Sequence, residues 1–242
     1  MIVVTSWDDG HPHDERIADL LARYGFSGTF FVPVRNSEGR PVLSGAALRR
    51  LSHSFEIGGH TLDHVYLTGL DQKEVHLQIR CGKEGIEQQL GRGIDGFCYP
   101  GGRMNAAIRN AVHQHGFCYG RTIENLRIDC NGNPYRLPTT LQFFPHTKDV
   151  LIKNFLRYGL WTRRAAIFKL AIQAENWWDR LPVIAESMDH TNGVLHIWGH
   201  SWEIEKYGLW NQLEQMLKRI SLLRPQSMTN LEAFSDIRRS GK

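Results

Sequence analysis

Two adjacent carboxylates follow an apolar segment near the start of the sequence. Asp8 and Asp9 come directly after residues 2–7 and are followed by Gly10. An isolated Asp-Asp-Gly is typical of a solvated turn, because Asp and Gly are common turn residues. If residues 2–7 form a buried strand, however, both carboxylates can face one pocket at its end. The motif alone favours the simple turn.

His60 and His64 have the spacing of a pair of metal ligands. They follow another short apolar segment, and residues four apart on a helical turn point in the same direction. By itself the pair is equally typical of two surface histidines on one helix face. Together with Asp9 it makes two imidazoles and one carboxylate, which leave one coordination position open, as in hydrolytic zinc sites.

Two further segments carry groups that could act in catalysis. Residues 98–102 form a turn in which the Gly101 backbone N–H could donate to an oxyanion, although turn formation explains Pro-Gly-Gly equally well. His196 lies inside an apolar segment and is expected to be a hydrogen-bonded core residue. His200 lies beyond that segment, where a proton donor would be useful.

All four motifs come at the ends of predicted strands. Strands are predicted at residues 2–7, 29–32, 55–58, 94–99, 117–120 and 194–198. Helices are predicted to start at Asp14, Ser44, Asp71 and Asn105, and a last helix to contain Leu209, Leu213, Met216, Leu217 and Ile220. This alternation predicts a parallel α/β sheet, either a barrel or a doubly wound sheet. In both, active sites assemble at the carboxyl ends of the strands.

The composition is that of a globular protein. The 242 residues are 41% hydrophobic and 22% charged, which excludes disorder and predicts one domain over residues 1–242. Residues 141–189 break the alternation and are predicted to be an inserted helical cap. Its tryptophans could stack on a sugar ring or pack in the cap's own core.

The charge and the cysteine content indicate which binding partners and which cellular compartment to expect. The net charge is +4, but the basic residues are scattered, so no nucleic-acid partner is expected. The cysteines, Cys81, Cys98, Cys118 and Cys130, form no C-x-x-C pair, which excludes a zinc knuckle and a thioredoxin-type motif. We find no basic leader and no apolar stretch long enough for a signal peptide or a transmembrane segment. A cytoplasmic protein that begins at Met1 is therefore expected.

In this order, the motifs resemble those of the polysaccharide deacetylase family, also called the NodB-homology family or carbohydrate esterase family four. The family pattern T-F-D-D-G is similar to residues 5–10, with one extra residue before the aspartates. Its H-[ST]-x-x-H is matched by residues 60–64, and its L-x-H is similar to residues 198–200. The resemblance covers most of the chain outside residues 141–189.

The resemblance implies a fold and a set of roles. The fold would be a distorted, incomplete (β/α) barrel of parallel strands. Asp8 would be the general base and His200 the general acid. One divalent cation, zinc in first place and cobalt, nickel or manganese as alternatives, would bind to Asp9, His60 and His64. The substrate would contact Tyr99, Pro100, Trp198 and Trp202.

The sequence departs from the family at two supporting groups. The R-x-P-[YF] motif falls on residues 98–101, so the arginine that orients the base is absent, and the oxyanion donor would be Gly101. Arg103 and Arg121 are both candidates to replace that arginine, and the sequence does not choose between them. The D-x-x-D-W motif has only a loose counterpart in residues 176–179.

The expected activity is hydrolysis of an N-acyl group, acetyl before formyl, from an amino sugar. Without a signal peptide, a sugar nucleotide or lipid-linked sugar is a better candidate than a cell-wall polymer. Two alternatives stay open. One is hydrolysis of a non-sugar amide or cyclic imide, as in allantoinase-like relatives. The other is a catalytically silent protein whose cap arginines and tryptophans bind an anionic lipid head group or a partner. The sequence does not indicate an oligomeric state.

Overall fold

The protein is described by a computed structural model that covers residues 1–129 and 132–240. Cys130 lies outside the described residues. Cys81 and Cys98 are free thiols. They form no disulfide with one another.

A parallel sheet forms the centre of the molecule. Its strands are β1 (Ile2–Asp8), β2 (Thr29–Val32), β3 (Glu56–Gly59), β4 (Gly96–Cys98), β5 (Tyr119–Arg121), β6 (Leu141–Gln142), β7 (Val194–Gly199) and β8 (Gln226–Met228). Seven strands follow the order β5-β4-β3-β2-β1-β7-β6, and β8 pairs with the first half of β1. Every pairing is parallel. The seven strands curl into a half-barrel, which confirms the expected incomplete (β/α) barrel.

Ten helices connect or flank these strands. They are α1 (Asp14–Arg23), α2 (Gly45–Leu51), α3 (Gln72–Leu90), α4 (Ala106–Gln114), α5 (Lys148–Arg157), α6 (Trp161–Gln173), α7 (Arg180–Ser187), α8 (Ser201–Lys206), α9 (Trp210–Ser221) and α10 (Asn230–Ser240), counted over the described residues. Most lie between consecutive parallel strands, as right-handed crossovers require.

Side-chain caps explain three of the predicted helix starts. Ser44 accepts a hydrogen bond from the Ala47 amide, and Asp71 and Asn105 cap α3 and α4 in the same way. Such caps satisfy amide groups that the first helical turn leaves unpaired. Asp14 differs from its predicted role, because it is the first residue of α1 rather than its cap.

Residues 141–189 are mostly helical, as predicted, but the first two belong to the sheet. They form β6, so α5, α6 and α7 make up the connection between β6 and β7. Leu181, Ile184 and Ala185 on α7 pack in the main hydrophobic core with the sheet. The organisation as one catalytic domain with an inserted cap stays a prediction.

The arginines of this connection are not all available to a ligand. Arg164 on α6 is 1% exposed, and its guanidinium donates to the backbone carbonyl oxygens of Asn125, Asn154, Phe155 and Gly159. Arg164 therefore links α5 and the segment after it to the loop that contains Asn125. Among the described residues, no helix has the length and apolar character that a membrane span needs.

Candidate metal centre and active site

The carboxyl ends of three strands bring the predicted site residues together. Asp8 is the last residue of β1, His60 directly follows β3, and His200 directly follows β7. Asp9 begins the loop after β1 with a φ of 75°, a left-handed backbone conformation that is uncommon outside glycine. Such conformations often mark functional sites, because the surrounding structure must hold them in place.

His60 and His64 converge on Asp9, but not by the predicted helical turn. Nε2 of His64 lies 2.9 Å from Oδ1 of Asp9, and Nε2 of His60 lies 3.5 Å from the same oxygen. Residues 60–64 form an irregular loop in which Thr61 and His64 have φ values of 71° and 56°. The prediction of a helical turn is therefore wrong, although the convergence that it was meant to explain is present.

Helix α3 holds the loop that carries the two histidines. The buried Gln78 accepts a hydrogen bond from the Asp63 amide and donates one to the Asp63 carboxylate, at 3.0 and 2.7 Å. Its backbone carbonyl also accepts a hydrogen bond from the Leu62 amide. Gly82, one turn further along α3, lies so close that an added Cβ would be 2.6 Å from the carbonyl carbon of Thr61.

The two carboxylate oxygens of Asp9 have different environments. Oδ2 accepts a hydrogen bond of 2.8 Å from Nε1 of Trp202. Oδ1 is buried without a standard hydrogen-bond partner and faces the two imidazoles. Burial alone would raise the pKa of Asp9, but the histidine contacts and the nearby His200 hold it well below its usual range. Asp9 is therefore an anion with one oxygen left for a cation.

This donor set fits a divalent metal ion. The ligand atoms of Asp9, His60 and His64 lie within 4.8 Å of one another. Nδ1 of His60 must donate to the carbonyl oxygen of Cys98, 2.8 Å away, so Nε2 is the ring nitrogen that faces the cluster. Asp8, His60 and Cys98 form a second close group, but burial raises the pKa of the Cys98 thiol, and Asp8 is engaged elsewhere. The Asp9 group is the better metal site.

Arg121, from β5, is the ion-pair partner of Asp8. Nη2 of Arg121 donates to Oδ1 of Asp8, and the arginine is fully buried. Its guanidinium carbon lies 5.2 Å from the ring centre of Phe31 and 5.1 Å from that of Trp198. Arg103, the other candidate, lies over the ring of Tyr66 instead. Of the two candidate arginines, Arg121 is therefore the one that contacts Asp8.

Glu203 supports His200. Its Oε2 lies 2.7 Å from Nδ1 of His200 and also accepts a hydrogen bond from Gln142. Burial would lower the pKa of His200, but the hydrogen bond that Nδ1 donates to Glu203 and the negative charge of Asp9 raise it to about 9. In residues 176–179, Asp179 instead pairs with Arg219. The i, i+3 spacing of His200 and Glu203 was the sequence signal for this partner.

His196 is buried within β7 and hydrogen-bonded at both ring nitrogens. Nδ1 lies 3.1 Å from the carbonyl oxygen of Pro138, and Nε2 lies 2.9 Å from Oγ of Ser6. Burial lowers the pKa of His196 to about 3. A neutral core histidine of this kind matches the predicted structural role.

A cavity of about 200 Å³ lies above these groups. It is lined by Asp8, Asp9, Glu38, Arg40, His60, His64, Tyr66, Gly101, Ile123, Trp198, His200 and Trp202. A larger groove of about 490 Å³ beside α3 and α4 has no carboxylate among its described lining residues. The smaller cavity is therefore the candidate active site.

Two of the four predicted substrate contacts do not line this cavity. Tyr99 is fully buried and donates its O–H to the carbonyl oxygen of Tyr135, and Pro100 is buried next to it. The tyrosine ring packs in the main hydrophobic core, where its centre lies 5.3 Å from that of the Phe97 ring. Trp198 and Trp202 do line the cavity.

Sequence reasoning missed four lining residues. Glu38 and Arg40 come from the loop between β2 and α2, and Tyr66 and Ile123 come from loops after β3 and β5. Loops after parallel strands are expected to line such sites. No residue pattern distinguished these side chains from ordinary loop residues.

A curved parallel sheet with an Asp-His-His cluster at its carboxyl edge defines an α/β barrel with a candidate metal centre. The chain shares more than this architecture with known proteins, because a model of the polysaccharide deacetylase family matches residues 1–120. The chain belongs to the polysaccharide deacetylase family.

Individual relatives agree with this assignment. A peptidoglycan-N-acetylglucosamine deacetylase from Bacillus cereus is 27% identical over 118 residues, which are 48% of this chain and 54% of that protein. The chain spans about half the length of the curated relatives it matches. A match over about half of their length does not by itself assign their activities to this chain.

Solved structures share the fold at low sequence identity. A family 4 acetyl xylan esterase from Clostridium thermocellum, in complex with a cobalt ion, has a TM-score of 0.62 at 16% identity and covers 97% of this chain and 91% of that chain. A family 4 pseudoenzyme from Bacillus anthracis has a TM-score of 0.57 at 13% identity and covers 96% and 65%. The fold alone therefore does not establish catalysis.

Proposed function

We propose that the protein hydrolyses the N-acyl group, in first place acetyl, of an amino sugar with the help of one divalent metal ion. The observation that carries the proposal is the buried, unpaired Oδ1 of Asp9 between two imidazoles, with Asp8 and His200 in the same cavity. A metal site, a general base and a general acid are the groups that metal-assisted amide hydrolysis uses.

Asp9, His60 and His64 would hold the ion. When bound, it would act as a Lewis acid that polarises the amide carbonyl and lowers the pKa of the attacking water. Zinc suits two imidazoles and a carboxylate, and cobalt, nickel and manganese are the alternatives. Trp202 fixes the orientation of Asp9, because its N–H occupies the oxygen that faces away from the cluster.

Two residues move protons in the proposed reaction. Asp8, held by Arg121, accepts a proton from the water that attacks the carbonyl carbon. His200, protonated at neutral pH because its pKa is raised, donates a proton to the leaving nitrogen. The Gly101 backbone N–H donates to the oxyanion. The products are a carboxylate and a free amine.

The substrate that we propose is an N-acylated sugar linked to a nucleotide or a lipid, handled in the cytoplasm. The small cavity accommodates an acylamino group and parts of one sugar ring, with Trp198 and Trp202 as apolar walls. The relatives' acetylated carbohydrate substrates support the sugar class.

The test combines metal analysis with amine release. Purified protein is assayed for bound metal and for hydrolysis of a panel of N-acylated sugars. We expect one metal ion per chain, lost in the His60→Ala, His64→Ala double variant. Asp8→Asn should keep the metal and lose about a hundredfold to ten-thousandfold in turnover. Full metal occupancy in the double variant, or normal turnover of Asp8→Asn, would contradict the assigned roles.

A pseudoenzyme is the second candidate, because one relative of the same fold is described as one. It predicts metal-loaded protein that binds acylated sugars without releasing amine. The intact set of Asp8, His200 and the metal cluster favours the enzyme.

A further inference from the structure

Arg40 places a positive charge inside the site cavity that no proposed catalytic step uses. Its guanidinium carbon lies 3.9 Å from the centre of the Trp202 ring. Its Nη1 lies 3.9 Å from Oδ2 of Asp9. A cation this close to the metal cluster faces the part of the substrate that lies next to the scissile amide.

Arg40 retains hydrogen-bond donors for a ligand. Within the described part of the chain, its polar contacts to Glu38 and Asp9 all involve Nη1. Glu38 is 44% exposed and holds Nη1 from the solvent side. The N–H groups of Nε and Nη2 remain, and a planar guanidinium can present them together to a phosphate or a carboxylate.

The arginine is also held in position before any ligand binds. Stacking on Trp202 and the contact with Glu38 restrict its side chain, which is only 29% exposed. A pre-oriented guanidinium loses little rotamer freedom when it binds an anion. Arg103 forms a second arginine–aromatic pair with Tyr66, at 4.3 Å, beside Gly101. Of these two arginines, Arg40 is the one that lines the cavity, together with its partner Glu38.

We propose that Arg40 selects amino sugars with an anionic substituent, a phosphate or a carboxylate, on a carbon adjacent to the one that bears the acylamino group. We place the substituent on an adjacent carbon because Nη1 of Arg40 lies 3.9 Å from Oδ2 of Asp9, so the guanidinium lies close to the metal cluster where the acylamino group would bind. This inference rests on the proposed deacetylase function.

The test compares three probes of one sugar series. N-acetylglucosamine is neutral, N-acetylglucosamine 1-phosphate carries a phosphate on one neighbouring carbon, and N-acetylmuramic acid carries a carboxylate on the other. We expect kcat/KM for one charged probe to exceed that for the neutral sugar about tenfold to a hundredfold, the size of a hydrogen bond to a charged group. The preferred probe identifies the position of the anion.

Arg40→Gln should abolish this preference. Arg50→Gln is the matched control, because Arg50 is an exposed arginine on α2 that pairs with Glu15 outside the cavity. It removes the same charge and should keep the preference. Added salt should weaken the preference of the wild-type protein only in part, because Arg40 is partly buried.

Failure of this inference can be separated from failure of the proposed function. Equal kcat/KM on all three probes, or an unchanged ratio in Arg40→Gln, overturns the inference and leaves the deacetylase intact. If no probe is hydrolysed, calorimetric titration of the metal-loaded protein with the same probes tests whether Arg40 favours binding of a charged sugar. Tighter, Arg40-dependent binding of a charged probe supports the inference without the deacetylase function. Equal binding of charged and neutral probes overturns the inference, and the proposed function is then decided separately by the wider panel of N-acylated sugars.

Discussion

At the scale of residues, the proposed base and acid are intact, but their supporting partners come from other positions. Asp8 pairs with Arg121 on β5, and His200 pairs with Glu203 on α8. A buried carboxylate requires a partner, but several neighbouring strands can supply one. In this protein the support is therefore found as a contact in space rather than as a sequence motif.

Replacing Arg121 should affect both stability and turnover. Arg121→Met leaves Asp8 buried without its partner, which typically costs about 3–5 kcal/mol of unfolding free energy. We also expect a loss of turnover of at least about a hundredfold. Thermal unfolding and amine release measure the two effects, and Arg103→Met is the matched control. Normal turnover in the folded Arg121→Met protein would show that Asp8 needs no such partner.

Glu203 should set the alkaline limit of activity. His200 has a pKa of about 9 and loses its proton as the pH rises through that value. As a general acid it is therefore active below this pH and inactive above it. Glu203→Gln removes the negative charge beside His200, while burial still disfavours the protonated ring. The pKa of His200 should therefore fall, and the alkaline limb of the pH profile of turnover should move to lower pH. His196→Ala should leave the limb in place. An unmoved limb in Glu203→Gln would assign it to another group.

The Trp202 N–H should matter for metal affinity. Trp202→Phe keeps an aromatic ring beneath Arg40 but removes the donor to Asp9. Loss of such an outer contact typically weakens metal binding about tenfold to a hundredfold. Trp198→Phe is the control, because the buried Nε1 of Trp198 has no partner among the described residues. Equal metal dissociation constants for the two variants would rule out this orienting role.

The sequence could predict which residues come together at the cavity but not the residues that surround them. Asp8, Asp9, His60, His64 and His200 were recognisable because each follows a strand and matches a spacing. Arg121 could not be preferred over Arg103, because that choice depends on which strand approaches Asp8. Arg40 reaches the cavity from a long loop, whose path no short-range pattern specifies.

At the scale of elements, long and apolar segments were predictable, whereas short ones were not. β2 has the predicted bounds, and β1, β3, β4, β5 and β7 differ from them by a few residues at their ends. β6 has two residues and β8 has three, including polar ones, so neither shows a strand period. The loop of residues 60–64 was predicted as helical because i, i+4 spacing does not reveal left-handed backbone conformations.

Gly82 should be required for the position of this loop. An alanine there would place Cβ 2.6 Å from the Thr61 backbone, so the loop or α3 must shift. Because His60 and His64 flank that contact, we expect weaker metal binding and lower thermal stability in Gly82→Ala. Gln88→Ala, on the exposed side of the same helix, is the control. Unchanged metal affinity in Gly82→Ala would show that the loop adjusts without moving its ligands.

At the scale of the whole molecule, metal binding should stabilise the fold. A ligand at a hundred times its dissociation constant adds about 2.7 kcal/mol to the free energy of unfolding. For a chain of this size that raises the Tm by about 5–10 °C. Calorimetry with metal and with chelator measures the shift, and the His60→Ala, His64→Ala variant should show none. An equal shift in that variant would place the stabilising ion elsewhere.

The hydrogen bond between Asp9 and Trp202 joins residues 193 positions apart, and the Asp8–Arg121 contact spans 113 positions. During synthesis on the ribosome, the first strand emerges long before either partner. In the nascent chain, Asp8 therefore stays exposed to solvent until about half of the polypeptide has been made, when Arg121 is available. Asp9 lacks its Trp202 partner until near the end of synthesis. The three proposed metal ligands all lie within the first 64 residues, so they emerge early, whereas Trp202, which orients Asp9 in the finished fold, is made near the end.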